Sequence, residues 1–396
     1  MQESGGARRQ SHLEFYRQHG IAPVSYDLSS LDAHFERRAA LYNKLGLSAL
    51  AFSGSNVLEV AAGTGHNSLY LAAQRPALLV LLEPNPTAIE HIDATYAEYG
   101  DRFSAPHVVT EKLEDFSPGR QFDIVICENW LGTSPHELGL LDKLSGMVRP
   151  GGVLVITTVS PIGFVPNLIR RFLANFIAPP ALSFEERTRI IEAAYTPHLR
   201  TLGSMTRNAT DWVHDNMMNP AYFALCLSSP LALARLGSAF EALGTYPSFV
   251  EDWRWFKQLH GEARRINAHF LDQYWHKCHN FLDARSTPGT GDAAVNRALE
   301  HAAAGILKAV ESSEDALLHS GNIASAIGTV IGRVEEFVRL LPTGCCAAAS
   351  AMEEVMPLLA AANTVTADAI AGLQRFNALF GRETAYLSLE RKRTSP

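Results

Sequence analysis

NVLEVAAGTGHNSLYLA, running from Asn56 to Ala72, contains a strand, a glycine turn and the start of a helix. Val57, Leu58 and Val60 form the short apolar run that a buried parallel strand requires. Gly63, Thr64 and Gly65 follow, and the helical pattern opens with Leu69, Leu71 and Ala72. This layout brings a ligand against backbone N–H groups at a helix start. A side chain at Gly63 or Gly65 would block that approach, and glycine tolerates the dihedrals of the bend. A dinucleotide fingerprint needs a third glycine, but that position is Ser68, which argues against a nicotinamide dehydrogenase.

The continuation narrows the reading. Ala77 to Leu82 is a second apolar strand, and it ends in Glu83, placed to accept both hydroxyls of a ribose. His107 to Val109 reads as a short strand before the acidic loop Glu111-Lys112-Leu113-Glu114-Asp115-Phe116. FDIVICENW (Phe122 to Trp130) gives a fourth buried strand, and VRPGGVLVITTVS (Val148 to Ser160) a turn and a fifth.

An acid inside the first strand followed by A-x-G-x-G (Glu59, Ala61, Gly63, Gly65) resembles the first motif of class I S-adenosylmethionine-dependent methyltransferases. The later landmarks follow in order over residues 40–165. The resemblance implies an α/β, Rossmann-like sheet, mostly parallel with an antiparallel seventh strand. It implies S-adenosyl-L-methionine as cofactor and S-adenosyl-L-homocysteine as product. Glu59, Ala61, Gly63, Gly65, His66, Glu83, Leu113, Glu114 and Glu128 are then the cofactor-binding candidates, with Leu113 and Glu114 in the loop that holds adenine in the family. His66 reads equally as a helix-start histidine without a role.

Methyl transfer from a sulfonium is an in-line displacement that often removes a proton. Groups just beyond the fourth strand stand near the emerging methyl, so Glu128 and His136 are the candidate bases and Trp130 a cover for the substrate. His136 reads as readily as a loop or capping histidine. In the family, N-terminal helices cover the cofactor, which makes Tyr16, Tyr26, His34 and Tyr42 candidate lining residues; packing of those helices on the sheet is the plainer alternative.

The 396 residues exceed one ordinary domain. Residues 1–11 read as disordered, 1–48 as lid helices, and 49–257 as the core with a helical cap at about 161–228. Residues 258–380 read as a helical insertion, and 381–396 as the last strand and tail. In the lid, Ser30 or Asp32 is the expected helix cap, and Arg37 and Arg38 are expected to face outward. A helix is expected after Pro166 with Arg170 and Arg171 on its wet side, a capping box at Ser183 and Glu186, and helix again over Leu231 to Leu243. TYPSFVEDWRWF is expected as the sixth strand and ETAYLSLER, residues 383–391, as the seventh. In the insertion Ala293 to Leu341 reads as nearly continuous helix, returning after Pro342-Thr343-Gly344, and Gly328 and Gly332 would admit a partner helix in a homodimer.

His269, Asp272, His276 and His279 share one helical face, but no H-E-x-x-H or C-x-x-C accompanies them, so no metal is assigned. The net charge of −7 disfavours nucleic acid, since tracking phosphates needs a basic excess. The five cysteines lack paired spacing, and no apolar leader or membrane span is evident, which suits a cytoplasmic enzyme. The expected reaction is methylation of a small or medium polar metabolite at O, N, S or C, in a biosynthetic role. The alternative is a scaffold or isomerase that binds the same cofactor without transferring its methyl.

Overall fold

The apolar runs become a seven-stranded sheet in the order β3-β2-β1-β4-β5-β7-β6. The computed structural model describes residues 10–99, 102–131, 137–203, 205–222, 227–319 and 321–393. The strands are β1 (Asn56–Val60), β2 (Leu78–Leu82), β3 (His107–Val109), β4 (Phe122–Cys127), β5 (Val148–Val159), β6 (Phe240–Tyr246) and β7 (Thr384–Arg391). β1 to β5 pair in parallel, and β7 enters antiparallel between β5 and β6. The sixth strand lies earlier than expected. Pro247 has no N–H for a ladder, and the aromatic stretch beyond it is loop, with Trp253 90% exposed. Gly244 marks a register shift where the backbone of Lys44 comes close enough to exclude a Cβ.

Helices α1 (His12–His19), α2 (Leu31–Lys44), α3 (Ala49–Phe52), α4 (Ser68–Ala73) and α5 (Pro86–Tyr99) belong to the first half of the chain. Of the segment expected to be disordered, residues 1–9 lie outside the described residues, and Ser11 closes a capping box with Glu14 on α1. Ser30, not Asp32, caps α2 by accepting the Ala33 N–H. The second half carries α6 (Glu137–Met147), α7 (Pro161–Ile177), α8 (Phe184–Leu199), α9 (Ala209–Trp212), α10 (Ser229–Leu236) and α11 (Ile266–Lys277). It continues through α12 (Ala293–Leu318), α13 (Ile323–Arg339), α14 (Cys346–Ala360) and α15 (Ala367–Ala371). Ser183 accepts the Glu186 N–H at the start of α8. α10 stops at Gly237, so helix does not run to Leu243. The expected long helix of the insertion breaks between α12 and α13, where Asn322 caps the new start. Added Cβ atoms at Gly328 and Gly332 would meet nothing within 4 Å, so no element of the described chain uses that close approach.

Alternate residues of the strands build two cores. Val57, Leu79, Leu81, Ile124, Ile126 and Val155 pack against α2 to α5. Leu58, Val60, Val80, Val125, Cys127 and Ile156 face a larger core shared with α7, α8 and the helices between β6 and β7. α7 is the centre of this second face. It begins at Pro161 under the Ser160 cap, carries Pro166 inside, and is buried on almost every side.

Arg170 and Arg171 are therefore not on a wet surface. Arg170 is wholly buried, donates to the Phe376 and Asn377 carbonyls, and lies 3.8 Å from the Phe380 ring centroid. Burial pushes its guanidinium down to about 9. Arg171 pairs with Glu314 on α12 at 2.7 Å. A helix crossed by neighbours on all sides needs partners for any charge it holds, and these come from remote parts of the chain.

Candidate active site at the carboxyl ends of the strands

The turn after β1 is built as its glycines suggest. Gly63 and Gly65 have φ of 57° and 76°, and Ala61 just before them is also left-handed at 57°. Asn129, beyond β4, is left-handed at 56°. Two of the strained non-glycine residues thus stand where β1 and β4 end, and such strain persists only where the surroundings enforce it. Glu83 lies buried at the end of β2 and takes the Gly63 N–H on one oxygen and the Asn85 N–H on the other, both at 2.8 Å. Burial pushes it up to about 7 in spite of these donors.

Glu59, inside β1, faces α2. Burial, with the Glu128 carboxylate adding, pushes it up to about 7. The nearby Ser68 hydroxyl acts to lower it, but Oε2 is sealed from solvent without a hydrogen bond of full geometry. Such an acceptor costs free energy until a donor reaches it. The site accordingly has a glycine cradle, a carboxylate beside it and an unsatisfied acceptor below, a set of acceptors that fits the hydroxyls and ammonium of an amino-acid-bearing nucleoside.

The lid is anchored by charge. Arg38 was expected outward but is buried on α2, where its two terminal nitrogens donate to both oxygens of Glu128 at 2.7 and 3.0 Å. The Tyr42 hydroxyl donates to the same carboxylate at 3.0 Å. A proton delivered to Glu128 would displace Arg38, so geometry gives this residue an anchoring role and argues against its use as a base. Next to it the Asn129 N–H donates to the Thr157 hydroxyl at 2.7 Å, and Thr157 of β5 pairs with Tyr386 of β7.

Between α1 and α2 the segment 21–26 crosses the glycine turn. Asn85 donates to the Ile21 carbonyl, Thr64 to the Val24 carbonyl, and the Tyr26 N–H to His66 Nδ1. The Val24 side chain fills the space a Gly63 side chain would need, 2.7 Å from the ideal Cβ. His34 is buried behind this strap with Nε2 on the His66 carbonyl, so its ring does not open toward a substrate. Burial lowers His66 and takes His34 down to about 4, which keeps both neutral.

Tyr16 ends up elsewhere than beside Tyr26 and His34. Its hydroxyl donates to Asp215 at 2.6 Å and accepts from Asn219. Asp215 also pairs with Arg207 at 2.8 Å, and Arg207 reaches the Pro23 carbonyl. Trp130 is half-buried against the larger core. Leu113 is buried and Glu114 exposed in the loop after β3. His136 lies outside the described residues.

Of the four-residue polar stripe only His276 and Asp272 approach each other, at 3.7 Å. His269 faces the Glu251 carbonyl, His276 the Gly291 carbonyl, and His279 lies in a turn beyond α11 against Asn296. Among the described residues no group of three or more acids, histidines or cysteines could hold a metal ion. No helix of the described residues is long and apolar enough to cross a membrane.

Strand order, reversed seventh strand and the acid-flanked glycine turn are those of a Rossmann-like methyltransferase fold. Residues 33–212, less than half of the chain, match the family model described as a methyltransferase domain, and this part of the chain is a methyltransferase domain with S-adenosylmethionine as cofactor. A search of curated proteins gave no match. Among solved structures, the magnesium protoporphyrin IX methyltransferase of Synechocystis PCC 6803 with bound SAM is 14% identical, over 37% of this chain and 74% of its own, at a TM-score of 0.30. The N-methyltransferase NodS from Bradyrhizobium japonicum WM9, in complex with S-adenosyl-l-homocysteine, is 22% identical over 37% and 73%, at 0.29. PKMT2 from Rickettsia typhi, in complex with AdoHcy, is 13% identical over 61% of this chain and 50% of its own, at 0.39. Likenesses of this size say nothing of the substrate.

Arg38, Val24, Asn85, Arg207 and Tyr386 were not legible as site residues. Arg38 carries the charge of a solvated helix face, and the partners of the others are fixed only by the chain's return from far away.

Proposed function

We propose that this chain methylates a small or medium polar metabolite at a cleft between the strap and the cap, near the carboxyl ends of β4, β5 and the start of β7. The observation that carries this reading is the glycine turn against Glu83 with the orphaned Glu59 oxygen beneath it. When bound, the cofactor supplies an activated methyl group on a sulfonium. Glu83 holds the ribose, the 63–65 turn and Glu59 the amino-acid end, and the Leu113–Glu114 loop the adenine. Val24 and Tyr26 cover the site from the strap, held there by His66 and by His34 behind it. Trp130 and Tyr16 border the substrate side, and Arg207 with Asp215 gives that side a fixed polar wall.

Depth and accessibility support the cleft. Arg207 and Asp215 keep 20% and 21% of their side-chain surfaces accessible, although desolvation is the leading influence on both. Calorimetry with S-adenosylmethionine should show micromolar binding, lost in Gly63→Val. Release of S-adenosylhomocysteine with small polar compounds should distinguish transfer from a scaffold role. Binding without any such release across amines, alcohols, thiols and activated carbon acids would favour the scaffold.

A further inference from the structure

Glu383 has no part in the cofactor cradle, yet it sits at the same end of the sheet. It directly precedes β7, whose first residue Thr384 pairs with Val159, and its carbonyl accepts the Ser160 N–H at 2.8 Å. Its side chain lies on the α7 face, where Asn167 donates to Oε2 at 2.7 Å. Oε1 makes no hydrogen bond among the described residues and is not one of the sealed atoms, so it meets accessible space. The charged groups acting on it come from three other elements: Asp215 in the turn after α9, Arg207 before α9, and Arg170 on α7. Asp215 is committed to Tyr16 and Arg207, and Arg170 to carbonyls and rings. Glu383 alone of this group keeps an uncommitted oxygen.

We infer that Glu383 is the catalytic residue that receives a substrate N–H or O–H and accepts the proton displaced when that atom is methylated. The inference rests on the methyltransferase reading and deepens it. The new bond joins the substrate nitrogen or oxygen to the methyl carbon, and the methyl carbon–sulfur bond breaks. The proton passes to Oε1 of Glu383, which returns it to water. Burial holds the group up to about 7, against the lowering effect of the Asn167 bond, and a base is most useful near the operating pH. Two strand spacings, about 10 Å, separate β4 from β7, so a substrate lying over the end of β5 reaches from one to the other. The class of substrate is a small molecule with a hydrogen-bond donor at the methylated atom.

The test uses the full chain labelled with carboxyl-13C glutamate. The resonance that disappears in Glu383→Gln identifies the group. It should titrate near pH 7, and ethanolamine should shift it while acetate does not. Titration near 4.5, or indifference to ethanolamine, overturns the inference without a substrate being known. In methyl transfer to donor-bearing compounds, Glu383→Gln should lose about 10²-fold or more in kcat and its acid limb near pH 7. It should bind S-adenosylmethionine as the parent does. Wild-type turnover in the variant, or an unchanged pH profile, also overturns it. Failure of the parent protein to bind S-adenosylmethionine would instead sink the methyltransferase reading, leaving the titration of Glu383 as found.

Discussion

Glu128→Gln isolates the anchor that ties the lid to the sheet. The Glu128 and Arg38 side chains are 6% and 8% exposed, and three hydrogen bonds converge on the carboxylate at 2.7, 3.0 and 3.0 Å. The amide keeps the shape but leaves the guanidinium with no counter-charge except Glu59, which burial tends to neutralise. Breaking a buried pair from one side costs about 3 kcal/mol. At an unfolding entropy of about 2 cal/mol/K per residue over 396 residues, that is a fall of about 4 °C in Tm. Calorimetric melting of Glu128→Leu, Arg38→Met and Arg38→Met with Glu128→Leu closes a double-mutant cycle beside the shape-preserving Glu128→Gln. The double variant should recover most of the loss, because an apolar pair leaves no charge unpaired. Additive losses, or a Glu128→Gln melt within 1 °C of the parent, would refute the anchor.

Three further outcomes are checkable. Gly63→Ala should lower Tm through the left-handed backbone, about 1–2 kcal/mol, and through the Val24 contact; adding Val24→Ala should recover only the second part. Glu314→Ala removes the carboxylate that pairs with the buried Arg171 and should cost about 3 kcal/mol in urea unfolding. In Tm measured against pH, His34 and His198, each held down to about 4 by burial, contribute stability that is full above 6.5 and lost as pH falls toward 4. Glu59, Glu83 and Glu383, each raised from 4.5 to about 7, act oppositely: their contribution is present below 4.5 and lost as pH rises through 7. His34→Gln should therefore flatten the acid side of the Tm profile, and Glu383→Gln should reduce the fall in Tm between pH 4.5 and 7; an unaltered profile in either variant counts against the assigned burial.

The parallel strands were legible because burial on both faces leaves continuous apolar runs, and these runs coincide with β1, β2, β4 and β5. β7 was legible from alternation at residues 383–391. β6 was not, because aromatic residues beyond Pro247 imitate a strand although Trp255 and Phe256 are 59% and 72% exposed. The arginines failed for one shared reason. Local pattern assigns a charge on a helix to water, whereas Arg38, Arg170 and Arg171 meet Glu128, the Phe376 carbonyl and Glu314 only after the chain has closed on itself. The break between α12 and α13 fell where helical periodicity resumes directly after a single Asn cap.

The same buried charges explain why the strap has one path. Its far end is fixed to the cap through Tyr16 on Asp215 and through Arg207 on the Pro23 carbonyl. Its near end is fixed to the sheet through Arg38 and Tyr42 on Glu128. Between these anchors the backbone meets Thr64, His66 and Asn85, all of which flank the glycine turn or the end of β2. Apolar contacts alone would let the segment slide, since they are non-directional; paired charges and backbone hydrogen bonds fix register. The groups that hold the strap thus stand on the elements that border the cofactor and substrate sides, so a change at Glu128 or Asp215 is transmitted to Val24 and, through it, to the turn at Gly63.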